Sequence, residues 1–155
     1  MAKARDIQGL HADLSYREAA ARTVSVRAQE LFEYAEGVLD TSEIERVHDM
    51  RVASRRLRAA LEVFAPCFER GAHKDLLREV KQLADALGER RDPDVQIAGL
   101  RQLREELPPS DHPGVDLLLA RAREQQSAGN TALREALEAV LTHDLRGRLE
   151  ELARP

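Results

Sequence analysis

Apolar residues recur along this chain at intervals of three and four, the spacing that gathers them on one side of an α-helix. Ala20, Val24, Ala28, Leu31, Ala35 and Val38 make the first such run, which predicts a helix from Ser15 to about Leu39. Ser15, three residues ahead of Glu18, has the form of a capping box, in which side chain and backbone at the two positions satisfy each other. Ser42 and Glu45 repeat that signature before a second helix, Glu43 to Phe64, which Pro66 ends because proline disfavours helix in the residue before it. Residues 1–14 show little periodicity and read as a flexible lead-in, leaving 15–155 as one helical domain.

A third helix is predicted from His73 to Leu87, with Leu76, Leu77, Val80, Leu83 and Leu87 toward the core. Gly88 stands where a C-terminal stop belongs. Asp92 and Pro93 then read as the N-cap and first residue of a fourth helix, with Val95, Ala98, Leu100, Leu103 and Leu107 on its core face. PPSDHPG, Pro108 to Gly114, is the clearest loop. Val115 opens another helix, Gly129-Asn130 permits a break in it, and Thr142 to Leu152 is a last short helix or a continuation. Short links between long helices imply antiparallel neighbours. The expected fold class is therefore all-α, an antiparallel bundle of about five to six helices.

The second helix carries the candidate chemistry. With His48 set at 0°, Arg51, Arg55 and Arg58 fall at about 300°, 340° and 280°, a single stripe. Met50, Ala53, Leu57, Ala60, Leu61 and Phe64 lie opposite, between about 120° and 220°, where a core face belongs. A basic stripe opposite an apolar one is most often a solvated face. Solvated faces, however, usually alternate sign at i,i+4. Here arginine stacks on arginine, and only Glu62 joins from the acidic side. Guanidinium keeps its charge at all ordinary pH, and its planar fork fits phosphate. Lys74, Arg78 and Lys81 form a second basic stripe on the third helix, and Arg90 and Arg91 follow it.

His48, Arg51, Val52, Arg55, Arg56, Leu57 and Arg58 stand as HxxRVxxRRLR, and Leu87 to Val95 reads LGERRDPDV. Together these two ordered segments resemble the signature of the CHAD family, the conserved histidine α-helical domain. The resemblance implies an all-helical domain that binds inorganic polyphosphate, or a similar polyanion, along a basic surface. It also implies two related helical halves, of which this chain holds one. On that reading His48, Arg51, Arg55, Arg58, Lys74, Arg78, Lys81 and Arg91 contact phosphate, with Arg56 and Arg90 at the rim. A homodimer is then expected to replace the missing half, since closed twofold pairs are the commonest oligomers.

Charge distribution changes the picture more than total charge does. The net charge of −4 is not spread evenly: residues 46–91 hold eleven Lys and Arg against seven Asp and Glu, a local +4, and the remainder carries −8. Local field decides where an anion docks. The chain is 34% charged and 43% hydrophobic, a soluble-bundle profile, and no apolar run approaches the roughly 20 residues of a membrane span. The start of the chain lacks the apolar core of a signal peptide, and the single Cys67 has no intramolecular disulfide partner, so a cytoplasmic location is expected.

Catalytic signatures are missing. No Gly-rich phosphate loop with a following Lys and Ser/Thr occurs, and none of the five histidines pair at i,i+4 as zinc ligands do. No metal or cofactor is therefore expected, nor catalysis. Aromatic residues make up 3% of the chain and none interleaves with the basic stripes, which disfavours nucleic acid because single strands are usually gripped by base stacking. The alternatives are a helical adaptor for an acidic protein segment and, more remotely, an enzyme acting on phosphate esters.

Overall fold

The computed structural model describes residues 3–154. Among these residues every regular element is helical, as expected: α1 (Tyr16–Glu33), α2 (Ile44–Val63), α3 (Arg70–Glu106), α4 (His112–Thr142) and α5 (Leu145–Leu152), with single 3₁₀ turns at Ala65–Cys67 and Pro109–Asp111. Successive helices α1 to α4 pack as antiparallel neighbours, and α5 returns to close on α1, α3 and α4.

Helix α1 starts on the expected capping box. Ser15 Oγ accepts from the Glu18 backbone N–H at 3.2 Å, and the Ser15 N–H donates back to the Glu18 carboxylate at 3.0 Å. The Ser15 hydroxyl, which donates to the Glu18 carboxylate at 2.6 Å, and then the Ser15 N–H hold that carboxyl below its ordinary range. The helix ends at Glu33, short of the expected Leu39, and Gly37 at φ +69° turns the chain. Val38 is nonetheless buried, so the apolar periodicity continued through a turn and not through a helix. The second capping box does not form. Asp40 Oδ1 accepts from both the Ser42 N–H at 2.9 Å and its hydroxyl at 2.7 Å, a local turn that takes Ser42 away from α2. The N-cap of α2 is Glu43, with no side-chain bond.

The largest departure is α3. Where a stop at Gly88 and a new start at Asp92-Pro93 were expected, one helix of 37 residues runs through both, about 55 Å long. Inside a helix, proline leaves the carbonyl four residues back without its N–H, here that of Glu89. Residue 129 of α4 meets that carbonyl. A Cβ added to Gly129 would lie 3.1 Å from Glu89 O and 3.1 Å from Arg90 Cα. The bare glycine lets α4 approach closely enough for Cα–H to face the freed carbonyl. Gly129 and Asn130 accordingly break nothing; α4 is continuous over 31 residues and already begins at His112, not Val115.

Two cores result. The larger joins α1, α2, α4, α5 and the first half of α3 around Leu31, Met50, Leu57, Leu83, Leu133 and Leu149. The smaller, Ile97, Val115, Leu119 and Ala122, sits between the outer halves of α3 and α4, which continue beyond the body as a two-helix arm. Val95 and Leu103, expected in the core, are exposed on this arm, as are Leu117 and Leu118. A two-helix arm has no third layer to cover them. Residues 3–14 are not helical, but they are tied down: the Arg5 N–H donates to the buried Glu30 carboxylate at 2.5 Å, and Arg22 Nη1 donates to Gly9 O at 3.2 Å.

Candidate functional site

The two basic stripes lie on α2 and α3, which pack against each other as a hairpin. The inward face of α2 is the expected one, with Val47, Met50, Ala53, Leu57, Ala60 and Leu61 buried and Ser54 tucked in by its bond to Arg51 O at 2.7 Å. The stripe therefore points outward. Arg55 and Arg58 are exposed, while His48 and Arg51 are half-buried.

Glu62 joins the two stripes. Its Oε1 is 3.0 Å from Arg58 Nε on its own helix and 3.2 Å from Lys81 Nζ on α3. Hydrogen bonding from Arg58, and then from Lys81, holds the Glu62 carboxyl below its ordinary range. At the other end of the hairpin Arg91 spans the same gap. Its Nη1 donates to Ile44 O at 3.3 Å and its Nη2 lies 3.6 Å from Glu45 Oε1. Between those ends, Arg51 lies beside Gly88, whose added Cβ would sit 3.8 Å from Arg51 Nε. Gly88, expected as a helix stop, is thus a residue without a side chain beneath a guanidinium.

Pairing with carboxylates sorts the predicted contacts. Arg78 is tied to Asp75 at 3.0 Å, and Arg58 and Lys81 share one carboxylate. Among the described residues, Arg51, Arg55 and Lys74 have no carboxylate partner. Arg56 is half-buried on the flank of α2. Arg90 is a correction. It is not at a rim in a loop but fully buried in the middle of α3, paired with Asp94 and donating from Nε to Asn130 Oδ1 at 3.1 Å. Asp94 also accepts from Gln126 at 2.7 Å, and Asn130 donates to Leu39 O at 3.0 Å. Because α3 does not stop at Gly88, Arg90 and Asp94 become i,i+4 neighbours facing α4. Asp92, expected as a cap, is an exposed mid-helix residue.

One grouping was not anticipated. Glu45, His48 and Asp49 bring three ligand-type atoms within 4.8 Å of one another on the first turns of α2. They are the residues that could hold a cation, although the Arg91 guanidinium already supplies positive charge beside Glu45. A search for paired histidines passes over this spacing, because two of the three groups are carboxylates.

The outward stripe of α2 coincides with HxxRVxxRRLR, and the Gly88–Asp94 segment supplies the residue beneath Arg51, the Arg91 strut and the buried pair. The model of the CHAD domain matches residues 22–155. The chain belongs to the CHAD family. Neither a curated protein nor a solved structure matches it. In this CHAD chain the first family segment thus builds the charged face, and the second fixes α3 against α2 and α4. Among the described residues no helix is long and apolar enough to cross a membrane.

Proposed function

We propose that the outward face of the α2/α3 hairpin binds inorganic polyphosphate by electrostatic complementarity, without catalysis. The observation that carries this reading is the combination of Arg51, Arg55 and Lys74, which lack carboxylate partners among the described residues, with Arg58 and Lys81 held on one shared Glu62. From His48 to Arg58 the α2 stripe is about 15 Å long, and Lys74 to Arg91 on α3 spans about 25 Å, by helical rise. Extended rows of cations suit a linear polyanion better than a compact one. Polyphosphate is all backbone, and α2, which carries the Arg stripe, contains no Phe, Tyr or Trp to stack a base and no Asn or Gln to read one. CHAD membership favours the same ligand.

Contacts are assigned to His48, Arg51, Arg55, Arg58, Lys74, Arg78, Lys81 and Arg91. We further propose that two copies of the chain pair.

A titration with long-chain polyphosphate, beside single-stranded DNA of matched charge and at two salt concentrations, tests the reading. Tight, salt-sensitive binding to polyphosphate with much weaker DNA binding is the expected result. Equal binding of both would reduce the face to a generic basic patch, and no binding would end the proposal. Arg55→Ala should weaken polyphosphate binding about fivefold, the value of one exposed charge near 4 Å in water, and leave folding intact. Unfolding of that variant, or unchanged affinity, would refute its assignment.

A further inference from the structure

The arm formed by the outer halves of α3 and α4 exposes a trough of about 480 Å³, floored by Gly99 and Ala122 and walled by Leu100, Leu103 and Leu118. A Cβ on Gly99 would meet nothing within 4 Å, and Leu103 and Leu118 remain 43% and 47% exposed. Gln96 and Gln125 belong both to this trough and to a smaller one beyond it, lined by Glu89, Asp92, Pro93, Ala128 and Gly129. The two are thus one furrow from Glu89 to Leu103, about 21 Å by helical rise. Its charge is polarised. Glu89 and Asp92 lie at the body end, Arg121 lies toward the tip, and neutral glutamines stand between.

We propose that this furrow is where a second copy of the chain docks, antiparallel, about a twofold axis at the level of Gln96 and Gln125. The inference rests on the pairing proposed above and gives it a surface. The bonds Arg104–Asp116 and Gln126–Asp94 fix the level of α4 against α3, placing Arg121 beside Leu100. Arg121 and Asp92 then lie on opposite sides of the axis at nearly equal distances. Each copy's Arg121 comes to the level of the partner's Asp92, and Leu100 comes over the small residues Pro93 and Ala128. An isologous interface requires such self-complementarity. An acidic peptide would meet Glu89 and Asp92, and a basic one would meet Arg121, so another copy fits better than either.

Two helices side by side over this length offer roughly 400 Å² per copy, against roughly 800 Å² for each partner of a stable complex. The pairing is therefore weak by itself. A polyphosphate chain held by both copies tightens it by raising their effective concentration.

Sedimentation equilibrium of the full chain, from low to high micromolar concentration and with or without long-chain polyphosphate, is the test. The wild type should self-associate at the upper end. The double variant Leu103→Glu/Leu118→Glu should weaken association by at least about tenfold. Arg121→Glu should weaken it too, and adding Asp92→Arg should restore it. A wild type that stays monomeric throughout would overturn both the pairing and the furrow, and would leave the furrow to another protein's segment. A dimer untouched by these variants would overturn the furrow alone and put the pairing on another surface. Polyphosphate affinity of the Leu103→Glu/Leu118→Glu chain, measured below the association range, reads the binding proposal separately.

Discussion

The buried Arg90–Asp94 pair gives the sharpest test of the fold. Both side chains are at 0% exposure, and Asp94 Oδ1 accepts from Arg90 and from Gln126. Asp94→Ala removes both bonds and leaves the guanidinium buried with, among the described residues, Asn130 Oδ1 as its remaining acceptor. An uncompensated buried charge costs about 3–5 kcal/mol, a large share of the roughly 5–15 kcal/mol that holds a domain folded. Urea unfolding followed by far-UV circular dichroism should show that loss as a lower midpoint at unchanged slope, with the melting temperature falling by about 10 °C. Arg90→Met combined with Asp94→Leu removes both charges and should recover at least half of the deficit, because well-packed apolar replacements of buried pairs are often neutral. The two single losses should therefore be strongly non-additive. A cost below about 1 kcal/mol for Asp94→Ala, or strict additivity in the double variant, would show that the pair is solvated and that α3 and α4 do not meet as described.

Three further outcomes follow from the same geometry. Gly129→Ala gains about 1 kcal/mol of helix propensity but drives a methyl to 3.1 Å from two backbone atoms, an overpacking worth about 1–3 kcal/mol, so the melting temperature should fall; Gly99→Ala, whose Cβ meets nothing, should raise it in the dilute chain. Glu62→Gln frees Arg58 and Lys81 from their shared carboxylate and should strengthen polyphosphate binding at neutral pH by about fivefold; an unchanged or weaker Kd would mean that the two cations do not face the ligand. The folded-state pKa of Glu62 is depressed, so its stabilising contribution is present above the ordinary carboxylate range and is lost as pH falls through the lowered value. Acid titration of the wild type should therefore show a stability loss below the ordinary carboxylate range that Glu62→Gln lacks.

What could be read from the chain was local. The α1 capping box, the orientation of the Arg stripe and the apolar face of α2 each depend on residues within a turn or two of one another. The errors share a different cause. Gly88 and Asp92-Pro93 look like a stop and a start, and only a residue 36 positions beyond Pro93, Gly129, makes the uninterrupted helix possible by sitting against the Glu89 carbonyl. Arg90 was misplaced for the same reason, since its burial depends on α3 continuing to Asp94. Ser42 was expected on Glu45 when Asp40, two residues earlier, was the nearer partner. The exposed Leu103 and Leu118 keep helical spacing, but spacing marks a face without saying whether anything covers it.

Because α3 runs unbroken through both cores, its amides should not all open with the same free energy. The first half is enclosed by α2, α4 and α5, while the part beyond Ile97 is held by a cluster of four residues and one neighbouring helix. Hydrogen exchange along this single helix should therefore step, slow up to the Arg90–Asp94–Asn130 knot and faster outward from it. A second copy laid over the outer half would flatten the step, so the profile of protection along one helix records whether the arm is alone.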